Sequence, residues 1–485
     1  MNEKEKAYNG NEPAEFVSDT QNCDSVSQKI LAAFRKNGVT CELKNVVTGP
    51  TVTLYEISVG DHITLPRISK SVKRIELELQ CPDLRSVISP ISGAVILEIP
   101  NGGKQKDVPL MPLLKCEYAR HVSSGIAFAL GIDAENDEMF PDLRTLPHLM
   151  VGGRSGSGKT TLLNSIIISI AERSSPDDVK FVLINTKTHE FGAFGKLSHL
   201  LMPPVESKES AIEVLESLYE ETNRRFDLLS KAGIRDFDLY NYGALDRGES
   251  GKLPYIVVII DDIDELFSAG RSKAEMLCAG IMQRSRAVGM HFVITTGFSG
   301  RQTIPGIIKA CVPSRICLKV DTPVQSRTIL DAGGAEKLLG DGDMLFAHYA
   351  SNTPTRVKGA IAEGDIGAIV DSIAEKWKAG APVKTPKEKF YENPFASDVL
   401  RLLIENRKLT VGMIQRKLTL GYNRASDLMD GLVDLGCVSF NKECGHHIAL
   451  LENVEYEKMI SEIIAEKHTA DGEQKGRRYE RDRKR

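Results

Sequence analysis

Residues Val151 to Thr161 read VGGRSGSGKTT, and within them Gly153-x-x-x-x-Gly158-Lys159-Thr160 has the spacing of a phosphate-binding loop. Upstream, Leu146 to Val151 is a short apolar run suited to a buried strand. Downstream, Leu162 to Ile170 carries apolar residues at helical spacing. Strand, glycine-rich loop and helix are the context such a loop needs. Its glycines, among them Gly153, Gly156 and Gly158, let the backbone curl so that successive N–H groups and the helix N-terminus face one phosphate. Arg154, Ser155, Ser157 and Thr161 complete the loop, Lys159 supplies a charge to the β- and γ-phosphates, and the Thr160 hydroxyl is placed to ligate Mg²⁺. The expected ligand is a nucleoside triphosphate.

A second run, Leu253-Pro-Tyr-Ile-Val-Val-Ile-Ile-Asp261-Asp262, is an apolar strand that ends in two carboxylates. Lying beside the loop strand, it would deliver Asp261 to the metal through water, with Asp262 orienting the attacking water. A shift of register would make Asp264 and Glu265 the working pair, at the expense of carrying the metal carboxylate past the strand end. Hydrolysis also needs a cation against the charge developing on the γ-phosphate. Arg284, Arg286, Arg315 and Arg327 are the available candidates.

The chain has 485 residues, and at about 150 residues per domain that suggests roughly three domains. A net charge of −4 does not advertise a nucleic-acid binder, so any such function rests on local patches. The nine cysteines form no CxxC pair, which favours reduced thiols over a metal site. No apolar run approaches the roughly 18 residues of a membrane span, and the start lacks a signal-peptide core. The protein reads as soluble and cytoplasmic.

Composition divides the chain into a disordered leader (1–25), a small α+β domain (26–118), and an alternating strand–helix region with the pattern of a parallel α/β sheet (119–378). A proline-bearing linker (379–393), a compact segment (394–455), and a helix with a charged tail (456–485) follow. A short amphipathic helix is expected over Ser27 to Asn37. The compact segment reads as three helices and a hairpin, a winged helix-turn-helix. In that fold Asn423 and Arg424 open the third helix, where side chains read base edges, and Arg416 and Lys417 suit phosphates.

The stretches LPHLMVGGRSGSGKTTLLNSIIISI, LPYIVVIIDDIDELF, GMHFVITTG, SRTILDAGGAEKLLGDGDMLF and IQRKLTLGYNRASDLMDGL resemble, in order and spacing, the motor and C-terminal domains of the FtsK/SpoIIIE DNA translocases. GPTVTLYEI is similar to the small domain that precedes that motor, so the resemblance covers roughly residues 25 to 455. It implies a RecA-like P-loop motor using ATP and Mg²⁺, a homo-hexameric ring threading double-stranded DNA, and a winged helix that reads oriented DNA sequences. By the same resemblance, Arg315 and Arg327 lie where the family supplies an arginine finger to the adjacent subunit. Three departures stand out. The family's membrane-spanning N-terminus is missing, which favours a soluble accessory or mobile-element version. Asp261-Asp262 replaces Asp-Glu, and Thr296-Gly297-Phe298-Ser299 replaces Thr-Gln-Arg-Pro, removing a glutamine that would sense the γ-phosphate. Beside a working translocase, two other readings stay open: a DNA-binding scaffold that turns ATP over poorly, and a DNA-pumping ATPase of a conjugation or secretion apparatus.

Overall fold

A computed structural model of the chain describes residues 20–464 apart from 61–63, 89–92, 103–104, 123, 189, 243–251, 269–270, 298–303, 350, 352, 379–389, 392, 419, 421 and 442–445. Most of the expected leader and linker, the charged tail, and Phe298 with Ser299 lie outside the described residues.

Unbroken runs of Val, Ile, Leu and Phe form the middle of a ten-stranded sheet. Five mutually parallel strands stand there in the spatial order Ser314–Leu318, Leu149–Gly152, Met290–Thr296, Tyr255–Asp261, Val179–Asn185. Runs without polar alternation require cover on both faces. Val151, Phe181, Val257 and Ile259 pack on one face under Lys159–Arg173, while Met150, Val182, Val258 and Ile260 pack on the other with residues of Lys208–Lys231 and Arg271–Ser285. The motor is thus a RecA-like α/β layer structure.

Two expectations about this sheet are corrected. Tyr255–Asp261 does not lie beside the loop strand, because the wholly buried strand Met290–Thr296 is inserted between them and pairs with both. Order along the chain does not fix order in the sheet. Nor is the run at 343–347 parallel to the rest: Asp343–Ala347 pairs antiparallel with Ser314–Leu318, and Thr355–Ile361 antiparallel with it in turn. The helix Pro323–Leu330 carries the chain to the far edge, where Asp331 meets Arg315. The loop that follows brings it back to the near edge, so the next strand runs the other way.

The small N-terminal domain is a four-stranded antiparallel sheet, Cys41–Thr48, Val52–Val59, Val95–Pro100, Arg85–Ile88 in spatial order, covered by Thr20–Lys36 and Leu65–Glu78. The first helix therefore begins seven residues before the expected Ser27. A buried ion network joins this domain to the motor. Arg85 pairs with Glu98, Glu98 accepts from Arg356 at 3.1 Å, and Arg356 forks onto Asp343 at 2.6 and 3.0 Å. Arg356 and Asp343 are almost without solvent contact, so each charge depends on the other to offset its desolvation.

The third unit is a winged helix of Ala396–Asn406, Val411–Leu418 and Tyr422–Asp434, followed by a hairpin of Val438–Asn441 and His446–Ala449. Its core reaches beyond the expected segment: Phe390 and Tyr391 enter it from the linker side, and Tyr456, Ile460 and Ile463 enter from a helix over 453–464. At the far edge of the motor sheet, Arg144 Nη1 donates to Asp434 Oδ1 at 2.6 Å and Nε to Asp142 Oδ2 at 2.8 Å. The Asp238 carboxylate is 3.8 Å away and also accepts from the Tyr255 hydroxyl. Burial lifts the Asp238 pKa to about 6, against the pull of Arg144. Arg144 thus holds the last turn of the third helix against the motor. Replacing Asp434 by Ala removes one charge-assisted bond worth about 1.5–3 kcal/mol, and calorimetry should then resolve a winged-helix transition below the motor transition. Superimposable wild-type and variant thermograms would contradict this docking.

Candidate nucleotide site

The loop strand ends at Gly152, and the backbone turns through Gly156 at φ 72° and Gly158 at φ 103°, both in the left-handed region, before the helix starts at Lys159. Gly158 caps that helix without a side chain, so the first-turn N–H groups stay available to an anion. A Cβ at Gly153 would stand 2.5 Å from the Ser157 hydroxyl, and one at Gly152 would stand 2.5 Å from Ile329. The loop therefore closes only with glycine at these positions. Lys159 folds back, donating from Nζ to the carbonyls of Gly153 at 2.8 Å and Arg154 at 2.9 Å. Burial lowers its pKa, and the charges of Asp261 and Asp262 oppose that effect. Arg154 and Ser155 are exposed, with Arg154 paired to Asp321 at 3.0 Å; Thr160 and Thr161 occupy the first helical turn.

The opposite wall is built from three strand ends. Asp261 accepts from the Thr295 hydroxyl at 2.5 Å on one oxygen and from Asn185 Nδ2 at 3.1 Å on the other. Burial raises its pKa, and the Thr295 bond works against that rise. Asp262 follows at φ 57°, an uncommon conformation outside glycine. Its carboxylate pairs through Oδ2 with Lys187 at 2.8 Å, while Oδ1 is buried with no hydrogen-bond partner among the described residues. Asp264 accepts from the Thr296 hydroxyl at 2.6 Å and from the Gly297 N–H at 3.4 Å, and burial raises its pKa too. Glu265 is drawn away to Lys208.

Thr295, Asn185 and Lys187 were not singled out from sequence. The only available hint was their position at the ends of apolar strand runs, Ile184-Asn185 and Ile294-Thr295.

The two arginines proposed as fingers differ in kind. Arg315 belongs to the first half of its strand, paired with Met150, at the edge away from the loop. Its guanidinium donates to the carbonyls of Val312, Ile329 and Lys309 at 3.1–3.2 Å and to Asp331. Arg327 lies on the exposed side of Pro323–Leu330, and its side chain makes no hydrogen bond or ion pair with another described residue. In the winged helix, Arg416 and Lys417 are exposed on the last turn of Val411–Leu418. Asn423 and Arg424 stand in the first turn of Tyr422–Asp434, their side chains lying outside the described residues.

A cavity of about 740 Å³ opens beside the loop, lined by Gly156, Gly158, Thr161 and Leu162 on one side and by Met344, Lys358 and Ile361 on the other. Its size and mixed lining suit a nucleoside. Among the described residues no cluster of three or more His, Cys, Asp or Glu side chains could hold a metal by itself. Mg²⁺ bound with a nucleotide is commonly held by one or two protein oxygens together with substrate phosphates, and the Thr160 hydroxyl and the Asp261 carboxylate are protein oxygens of the kind it takes.

A parallel five-strand core with this loop and an acid-tipped strand defines a P-loop nucleoside-triphosphatase fold. Residues 8–101 match the FtsK alpha domain, 109–305 the FtsK/SpoIIIE family and 391–446 the FtsK gamma domain. The chain belongs to the FtsK/SpoIIIE family. It is 34% identical to the DNA translocase FtsK of Oceanobacillus iheyensis over 427 residues, 85% of this chain and 54% of that protein. To the DNA translocase SpoIIIE of Bacillus subtilis it is 32% identical over 458 residues, 92% of this chain and 58% of that protein. The chain thus spans about half the length of the curated relatives it matches. Among solved structures, the pCW3 conjugation coupling protein TcpA, in its monomer form with ATPγS, superimposes with a TM-score of 0.51 at 21% identity, covering 73% of this chain and 99% of that one. At that identity the likeness is one of fold. No helix among the described residues is long and apolar enough to cross a membrane.

The arginine contacts separate two outcomes. Arg315→Ala leaves three carbonyls without their donor and should lower unfolding stability by about 2–4 kcal/mol in urea titrations, with nucleotide affinity unchanged. Arg327→Ala should leave stability within about 0.5 kcal/mol. The reverse pattern would refute the assignment of Arg315 to local structure.

Proposed function

We propose that this chain is an ATP-driven motor on double-stranded DNA, working in the cytoplasm as a homo-hexameric ring whose orientation on DNA is set by its winged helix. One observation carries the reading: the phosphate loop and Asp261-Asp262 converge on one sheet edge in a chain that also bears a gamma-type winged helix. Bound Mg²⁺-ATP would supply the γ-phosphate and neutralise part of its charge. Loop amides from Gly153 to Thr161 cradle the phosphates, and Lys159 swings from the carbonyls it now contacts to the β/γ-oxygens. Thr160 and Asp261 would hold that metal. Oδ1 of Asp262, without a hydrogen-bond partner among the described residues, accepts a hydrogen bond from the attacking water and orients it. Arg327, exposed and unengaged among the described residues, serves as the arginine finger toward a neighbouring subunit in preference to Arg315. Arg416 and Lys417 contact phosphates, and Asn423 and Arg424 read bases.

A second reading is favoured by one contact. Lys187 engages Asp262 at 2.8 Å, and a shorter carboxylate tied to a lysine suits slow turnover, as in an ATP-dependent scaffold.

The decisive measurement is ATP hydrolysis with and without long duplex DNA. A motor shows stimulation by DNA and loses about 100-fold or more with Lys159→Ala; a rate indifferent to DNA defeats the motor reading. Asp262→Glu adjudicates between the two readings, since a large gain in turnover marks a degenerate motor and little change an active one. In binding assays, Arg424→Ala should relax base preference by about 1–3 kcal/mol at its contacted position, while Lys417→Ala weakens all sequences alike and flattens the salt dependence. Equal effects on every sequence from both variants would remove the reading role.

A further inference from the structure

We propose that Thr295 is a positioning residue for hydrolysis, its single hydroxyl bonding the carboxylate of Asp261 and the backbone N–H of Asp262. The proposal rests on the ATPase reading above and concerns the strand between the loop strand and the acid strand.

Thr295 is wholly buried near the end of Met290–Thr296, a strand whose preceding residues Phe292, Val293 and Ile294 are apolar. Its Oγ1 donates to Asp261 Oδ1 at 2.5 Å and accepts from the backbone N–H of Asp262 at 2.8 Å. A hydroxyl has one proton to give and lone pairs to receive, so the two bonds use it in complementary ways. The first fixes the carboxylate that would face the metal, with Asn185 holding the other oxygen of Asp261. The second anchors the residue that carries the water-orienting group. Asp262 is at φ 57°, in the left-handed region that residues other than glycine adopt seldom and mostly where neighbours hold them. The Thr295 hydroxyl is the acceptor that holds its amide. With the backbone so fixed and Oδ2 on Lys187, Oδ1 of Asp262 is left as the oxygen of the pair with no hydrogen bond among the described residues. A valine of the same shape fills the same space and makes neither bond.

The variants are Thr295→Val and Thr295→Ser, with ATP hydrolysis resolved into kcat and KM and with ATPγS binding measured in Mg²⁺ and in EDTA. Val is expected to lower kcat by about tenfold to hundredfold, the scale of a small misplacement at the reacting centre, with KM changed by less than about threefold. Ser, which keeps the hydroxyl, is expected to restore kcat to within about threefold of wild type. Val should also lose most of the affinity gained on adding Mg²⁺, and Ser should keep it. Wild-type kcat in the Val variant, or a Ser variant as slow as Val, overturns the proposal. A wild type that binds Mg²⁺-ATPγS but hydrolyses no ATP overturns the motor reading instead, and the Mg²⁺ increment then decides the role of Thr295. Loss of that increment in Val and retention in Ser support positioning; retention in both overturns it.

Discussion

The parallel register of the central strands is the constraint on which the site depends. Thr296 pairs with Gly152, Ile260 with Ile294, and Asp261 with Asn185, so three strands end level with the start of the phosphate loop. Parallel strands present all their C-terminal ends on one edge, and a ligand meets the loops there. Asn185, Asp261 and Thr295 are each the first hydrophilic residue after an apolar strand run. Their positions are inherited from backbone pairing within the sheet and need no flexible loop to fix them.

Charges buried between domains extend that rigidity outward. Arg356 forks onto Asp343 in the motor and reaches Glu98 in the small domain, and Arg144 binds Asp142 in the motor and Asp434 in the winged helix. Such networks contribute little net stability compared with apolar packing, but leaving one member unpaired is costly. The Arg144 cluster also contacts Tyr255 through Asp238, and Tyr255 opens the strand that ends at Asp261. The docked winged helix and the acid pair thus stand at opposite ends of one strand.

Much of this was legible in the chain itself. The phosphate loop announces itself because glycine spacing and a lysine–threonine pair are consecutive in sequence and their chemistry is local. Asp261 and Asp262 were legible for the same reason, as acids terminating an apolar run. The partners that aim them were not: Thr295 reaches Asp261 from 34 residues away and Asn185 from 76, and a threonine at a strand end looks like any β-branched residue. Arg315 and Arg327 were indistinguishable as letters. Only the fold shows that one guanidinium is spent on three carbonyls while the other is exposed.

By itself, then, the sequence determined the family, the order of the three domains, the nucleotide loop and the acid pair, because each is written in neighbouring residues. Tertiary structure alone decided that Met290–Thr296 separates the loop strand from the acid strand, that the Thr295 hydroxyl links the Asp261 carboxylate to the Asp262 backbone N–H, and that Arg144 holds the winged helix. The physical reason is common to all three. They are contacts between segments tens to hundreds of residues apart, fixed by which apolar strands and helices find cover together, and nothing local in the chain encodes that choice.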